Sequence, residues 1–382
     1  LNKRRKKIIS DKVSVTKIIN DVKSNGDKAL IKYEKRFNQN NKIVPSSRLI
    51  NKLIKTLDPK VRRAIDIAYN RIYKFHSLQK FKNISYTDRF KNKLNYKYLP
   101  IDSVAIYVPG STASYPSSVL MNAIPAIVAG VKRVVMINPG YKGNQNPAVL
   151  YAAKKCRIKE IYSIGGPSAI AAVSYGTKKI IKVDKIVGPG NSYVAAAKKE
   201  VFGDVGIDMV AGPSEILVVA DSENDPAWIA ADLLSQAEHD SVAQSILMTD
   251  DEVFAETVCG EVERQLSELP REEIARQSWE NFGAVVLVPD LKQDGPVLID
   301  RLAPEHLELA VKDPESLSDN IRNAGAIFLG RYTPEAIGDY IAGPNHVLPT
   351  ARAARYASGL SVLMHILQHA PSAERDLARR CN

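Results

Sequence analysis

The sequence predicts an α/β protein: two Rossmann-like open α/β layers, with a helical N-terminal segment before them and a short, atypical C-terminal tail after them. Three observations predict this. Short apolar β runs end in glycine turns and lead into helical stretches, the pattern of an open parallel sheet. The series occurs once between 104 and 200 and again after 215. Before 100 the apolar residues fall instead at helical spacing.

Taken in order, 13–38 reads as two helices broken at Ser24-Asn25-Gly26-Asp27, where Gly26 suits a C-terminal cap and Asp27 the next N-cap. Residues 59–80 read as a third helix, with Val61, Ala64, Ile65, Ala68 and Ile72 on one face. The stretch 83–100 is polar and aromatic and reads as strand and loop. The first α/β series then runs strand 104–108, helix 118–129, strand 133–137, helix 147–156, strand 160–164, helix 168–175 and strand 185–187. Its turns are Pro109-Gly110-Ser111, Pro139-Gly140, Gly165-Gly166 and Gly188-Pro189-Gly190-Asn191. The second has strands at 216–220, 245–248, 284–288 and 326–329, with helices at 225–238, 252–268 and 315–323. The domains expected are a helical part, 1–106, packing with the second α/β domain; a first, nucleotide-side α/β domain, 107–214; a second, 215–360; and a truncated or divergent tail, 361–382.

Composition narrows the function classes. Of 382 residues, 45% are hydrophobic and 25% charged, which excludes a disordered chain, a collagen and a disulfide mini-protein. The longest weakly polar stretch, 118–131, is interrupted by Asn122 and Pro125 and is too short to span a bilayer. After the basic start only Ile8 and Ile9 precede polar residues, so no secretory signal is expected. Three scattered cysteines, Cys156, Cys259 and Cys381, point to a reducing compartment and no cysteine metal site. The expected location is the cytoplasm, without membrane association.

The net charge of +11 hides two opposite halves. Residues 1–200 hold 30 Lys and 10 Arg against 11 acids; residues 201–382 hold 2 Lys and 11 Arg against 31 acids. A nucleic-acid surface is one reading of the basic half. Solvated helix faces are the other, and the sequence favours them. The basic residues of 13–38 and 59–80 interleave with apolar positions at helical spacing, without a run of aromatics for base stacking.

Four segments carry candidate chemistry, each with a plain alternative. Gly188-Pro189-Gly190-Asn191-Ser192-Tyr193 lets a backbone approach a phosphate, but Tyr193 stands at the third glycine position, and a simple tight turn is as good a reading. Gln236 and His239, spaced i and i+3 at the end of a helix, offer an oxygen and an imidazole to a divalent cation; ordinary polarity at a helix end is the alternative. Glu305-His306 behind Pro304 sets an acid beside an imidazole, a proton-transfer pair or a surface polar pair. Asp339, near the rigid Gly343-Pro344-Asn345-His346 turn, offers a hard carboxylate ligand; an ordinary Gly-Pro turn is the alternative. Together they suggest a metal-assisted enzyme that uses a nucleotide.

At these residues the chain resembles the histidinol dehydrogenase family. The matching segments are 105–126, 182–198, 207–221, 232–240, 301–309 and 338–350, in the family's order, and the likeness spans about 13–362. The resemblance implies NAD-dependent, zinc-requiring, four-electron oxidation of L-histidinol through the aldehyde to L-histidine, by an intertwined homodimer. It implies Gln236, His239 and Asp339 as zinc ligands, and Ser214, Gln236, His239, His306 and Asp339 as substrate contacts. It further implies Glu305 and His306 as the acid/base pair, and Tyr107 and Asn191 as nucleotide contacts. Ser168 stands where the family carries a Gln that contacts NAD, and Ser111 where it carries a glycine. After Val362 the family continues into a tail with a substrate-binding Glu and a fourth zinc ligand, a His; residues 363–382 match none of it. Two other readings stay open at this point: a paralogue acting on another small diol or amino alcohol, and a non-catalytic basic binding protein.

Overall fold

The computed structural model describes residues 12–40, 42–89, 91–110, 115–140, 144–370 and 372–373. Ser111 and Cys381 lie outside them. The chain divides into two compact units, one of Thr16–Gly188, Ala197–Asp208 and Leu360–Asn382, the other of Leu1–Val15, Pro189–Ala196 and Met209–Gly359.

The first of these units opens with helices. Helix α1 (Lys12–Asn38) is kinked at Gly26, whose φ of 52° and ψ of −131° are non-helical, at the break expected there. α2 (Ser47–Lys55) starts at Ser46, which caps Leu49 N–H, and α3 (Pro59–Ser77) starts at Asp58, which caps Lys60 N–H. Strands β1 (Ile84–Thr87) and β2 (Lys93–Pro100) pair antiparallel. There follow β3 (Ser103–Tyr107), α4 (Pro116–Ala129), β4 (Arg133–Ile137), α5 (Pro147–Lys155), β5 (Glu160–Tyr162), α6 (Gly166–Tyr175), β6 (Lys185–Val187), α7 (Ser192–Val201) and β7 (Gly206–Ile207). The five strands β3 to β7 form one parallel sheet in the order β5-β4-β3-β6-β7. All of β3 is buried, as a central parallel strand covered on both faces requires.

Helices α1 and α3 are tied to the elements of this sheet by polar contacts. Asn40 Nδ2 donates to Ser163 C=O at 2.6 Å, and the Glu34 carboxylate accepts from Gly165 N–H at 3.0 Å. Asp66 on α3 pairs with Lys155 on α5 at 2.7 Å. These buried and half-buried polar groups find their partners just past β5 and on α5, which fixes where the helices must lie.

In the other unit the elements are β8 (Glu215–Ala220), α8 (Pro226–Ala237), β9 (Gln244–Thr249), α9 (Glu252–Leu266), α10 (Glu272–Phe282), β10 (Ala284–Leu287), α11 (Gly295–Leu302), β11 (His306–Ala310), α12 (Pro314–Ser318), β12 (Ala326–Leu329) and α13 (Ala336–Tyr340). The sheet is again parallel, in the order β10-β9-β8-β11-β12. Along β8 the side chains alternate. Ile216, Val218 and Ala220 enter a core with α8, α9 and α10, while Leu217 and Val219 enter one with α11 and Leu317. Each fully buried Val, Leu or Ile among them contributes about 1.5–3 kcal/mol.

Strand β11 was not expected, and α12 is shorter than the helix read at 315–323. Asp300 explains the second difference: its carboxylate accepts from Arg322 N–H and Asn323 N–H, both at 2.8 Å, and draws the chain out of helix toward β12. The tail adds β13 (Ile366–His369) and β14 (Ser372–Ala373), both antiparallel to β2. Residues 362 and 365, in the 3-10 turn Val362–His365, are buried. Among the described residues no helix is long and apolar enough to cross a membrane.

Candidate active site

In a parallel sheet the strand order reverses at one point, and ligands usually collect there at the carboxyl ends. In the second sheet that point lies between β8 and β11, and an ion pair fills it. Arg331 Nη2 contacts both Asp221 oxygens at 2.6 and 2.7 Å and Glu223 at 2.9 Å, and Lys312 N–H donates to Asp221 at 3.1 Å. The titratable groups gather instead at the amino ends of the same strands. Glu215 opens β8, Glu305-His306 open β11, and α8 and α13 run back to deliver Gln236 and Asp339 there.

The approach to β11 is held by backbone. Ala303 ends α11 in the left-handed region, φ 48°, a conformation that costs a non-glycine residue about 1–2 kcal/mol. Pro304 C=O and Glu305 C=O then accept from Gly325 and Ala326 N–H, both at 2.9 Å. A Cβ on Gly325 would collide with Glu305 C=O. So the pair Glu305-His306 enters the sheet rigidly, both residues under a tenth exposed.

His306 Nδ1 lies 3.0 Å from Glu215 C=O and 3.8 Å from Glu305 Oε2. A carbonyl only accepts, so Nδ1 carries the hydrogen and Nε2 is left as the basic nitrogen. Nε2 is buried without a hydrogen-bond partner; Glu335 Oε1 is 3.3 Å away but not in hydrogen-bond geometry. Burial pulls the imidazole down to about 4, against the pull of Asp339, so it is neutral at pH 7. Glu305 accepts from Glu215 N–H at 3.0 Å, yet burial, then the Glu215 charge, hold it well above the ordinary carboxylate range.

Ligand atoms of His306, Glu335 and Asp339 lie within 4.8 Å of one another, a spacing that suits a cation. Asp339 also pairs with His346 Nδ1 at 3.2 Å; burial raises its carboxyl, but the His346 contact outweighs this and the net shift is downward. Gln236 is 1% exposed and its Oε1 has no hydrogen-bond partner. His239 lies two residues beyond the end of α8, exposed, with Nδ1 2.9 Å from Ser235 C=O. Ser214 directly precedes β8, and its C=O accepts from Gln244 N–H at 3.0 Å.

The expected nucleotide residues stand elsewhere. Tyr107 ends β3, and its OH accepts from Gly166 N–H at 3.1 Å; burial raises the phenol to about 12. Ser168 is buried on α6, with Oγ 3.2 Å from Glu34 and 3.1 Å from Gly165 C=O. Glu34 itself is pushed up to about 7, mainly by burial. Asn191 follows β6, exposed, and its Oδ1 caps Val194 N–H at 3.1 Å.

Sequence reasoning missed Glu215, Glu308 and Glu335. A charged residue opening an otherwise apolar run marks Glu215. Glu335 sits four before Asp339, the spacing of one helix face. Glu308 is two before Ala310 on the same side of β11 as His306, 1% exposed and pushed up to about 9, first by burial and then by Asp232.

A profile of the histidinol dehydrogenase family matches residues 1–371. The chain belongs to the histidinol dehydrogenase family. It is 65% identical over 365 residues to the histidinol dehydrogenase of Pelagibacter ubique, covering 95% of this chain and 85% of that one. With the Rhodospirillum rubrum histidinol dehydrogenase it shares 56% over 353 residues, 91% of this chain and 81% of that one. The crystal structure of the histidinol dehydrogenase from Elizabethkingia anophelis superposes with a TM-score of 0.91 at 40% identity, over 95% of this chain and 84% of that one. Like its family, the chain is an oxidoreductase acting on histidinol in histidine biosynthesis.

Proposed function

We propose that the chain carries out NAD-dependent, zinc-requiring oxidation of L-histidinol through the aldehyde to L-histidine, as a homodimer in the cytoplasm. The observation that carries this is the bare, neutral His306 Nε2, held by Glu215 C=O and set among carboxylates beside a buried Glu305. Such a nitrogen takes the proton of an alcohol while hydride leaves its carbon for NAD. At the second oxidation Glu305 accepts a proton from the water that attacks the aldehyde. It does so in its ionised form.

The donor set fits zinc. Gln236 Oε1 is a buried oxygen without a partner, Asp339 is a carboxylate within reach of His306 and Glu335, and His239 keeps Nε2 available once Nδ1 faces Ser235 C=O. We assign the metal to Gln236, His239 and Asp339, because His306 must stay unligated to act as the base. When bound, zinc supplies the charge that holds the substrate's imidazole and amine. Ser214, Gln236, His239, His306 and Asp339 line the substrate, while Tyr107, Ser168 and Asn191 serve the nucleotide.

The test is on the purified chain: zinc content, and NAD reduction dependent on L-histidinol, before and after chelation. We expect two NAD reduced per histidinol and loss of activity on chelation, restored by zinc. Turnover unaffected by complete metal removal would sink the metal assignment. Reduction with other amino alcohols but not histidinol would sink the substrate.

A further inference from the structure

The unit that holds the first sheet contains a buried ion pair that the proposed chemistry does not use. Lys198 on α7 and Asp208, just beyond β7, contact each other with side-chain exposures of 2% and 0%. Both also grip one residue. Lys198 Nζ donates to Gly188 C=O at 3.0 Å, and Gly188 N–H donates to the Asp208 carboxylate at 2.7 Å. Asp208 is itself tied to the neighbouring strand, its N–H donating to Ile186 C=O at 3.2 Å.

Gly188 is a special residue to grip. Its φ is +108°, and a Cβ there would collide with the Tyr107 carbonyl and stand 3.2 Å from Asn122 Oδ1. It is therefore pressed against the end of β3, at the point where this sheet's strand order reverses. It is also the first residue of the Gly188-Pro189-Gly190-Asn191 turn. A buried ion pair is a poor source of stability, because desolvation offsets its attraction. Two charges that cancel each other make no anion site either. What the arrangement does supply is hydrogen bonds that fix both the N–H and the C=O of one glycine.

We propose that Lys198 and Asp208 are positioning residues, which set the Gly188–Asn191 turn in the conformation that accepts the pyrophosphate of a dinucleotide. This rests on reading the first sheet as the nucleotide site. The pair touches no reacting atom, so its loss acts on cofactor affinity and leaves the chemical step alone.

Two double variants separate positioning from mere stability. Lys198→Met/Asp208→Leu replaces the pair with apolar volume and removes both bonds to Gly188. Lys198→Gln/Asp208→Asn removes both charges but can keep both bonds. The apolar double is expected to raise the KM for NAD about tenfold or more, with kcat within about twofold, since small misplacements cost up to about 10²-fold. It is also expected to speed hydrogen exchange of the backbone around 186–194. The amide double is expected to restore both values. Wild-type KM and exchange in a folded apolar double would overturn the proposal. Should that double not fold, Lys198→Gln/Asp208→Leu restores one of the two bonds, and wild-type values there would equally overturn it. Direct titration of the unaltered chain with NAD keeps the two ideas apart. If NAD does not bind while the exchange difference persists, the nucleotide reading fails and the positioning of the turn stands.

Discussion

The two five-stranded sheets share one strand order, and the sites proposed on them lie at opposite ends of the strands. In the first, the carboxyl ends of β3 and β6 carry Tyr107 and the glycine turn, and the proposed nucleotide chemistry lies there. In the second, the equivalent place is occupied by Arg331 with Asp221 and Glu223, and the candidate active site sits at the amino ends. Topology supplies a possible site, but side chains decide whether it is open. With the active site at the amino ends, as proposed, an ion pair at one end and an imidazole among carboxylates at the other reverse the usual polarity of the fold.

The largest effect expected is from His306→Ala. With no acceptor for the alcohol proton, NAD reduction with histidinol should fall by about 10²–10⁴-fold, while NAD binding stays unchanged. Activity above a tenth of the original would take the chemistry away from the amino ends. Glu305→Gln divides the reaction in two: histidinal oxidation should fall at least about tenfold further than histidinol oxidation. Equal losses on both substrates would remove its assigned role.

Glu308 sharpens the comparison through pH. Its carboxyl is raised from an ordinary 4.5 to about 9, so the folded chain keeps a proton that the unfolded chain loses. The stability this contributes is full below about 4.5 and is lost as pH rises toward 9. Glu308→Gln mimics the protonated form. Its melting temperature should gain on the unaltered chain as pH rises from 5 to about 9, by several degrees. A constant gap across that range would show that the acid is already ionised at the low end. The smallest effect is from Arg331→Met, about 1 kcal/mol or less for a partly exposed pair, with kcat and KM unchanged. A large change in kcat there would mean that the carboxyl end of the second sheet takes part after all.

Most of this architecture was readable from residues. The strands at 133–137, 185–187 and 326–329 coincide with β4, β6 and β12, because apolar runs stopped by glycine or proline leave little freedom. β11 was not readable because two of its five buried positions are His306 and Glu308. A buried polar residue looks like a surface one until its partners are known. For the same reason Glu305, His306 and Asp339 stood out through their neighbours, an acid beside an imidazole and a rigid Gly-Pro turn, whereas Glu335 and Glu308 were lost among the 31 acids of that half. The placing of α1 to α3 depended on Glu34, Asn40 and Asp66, whose partners on and around α5 and β5 lie 85 to 134 residues further along. No local pattern encodes such a distance.

β2 draws its second neighbour from the far end of the chain: Tyr96 OH bonds Gln368 at 2.6 Å across 272 residues. During synthesis that partner therefore emerges 272 residues after Tyr96. Until it does, β2 presents an open edge, with the part-exposed apolar side chains Leu94 and Leu99 along it. Open apolar edges invite pairing with a neighbouring chain. Aggregation of nascent or prematurely terminated protein should thus depend on residues 366–369 and should subside once they have left the ribosome.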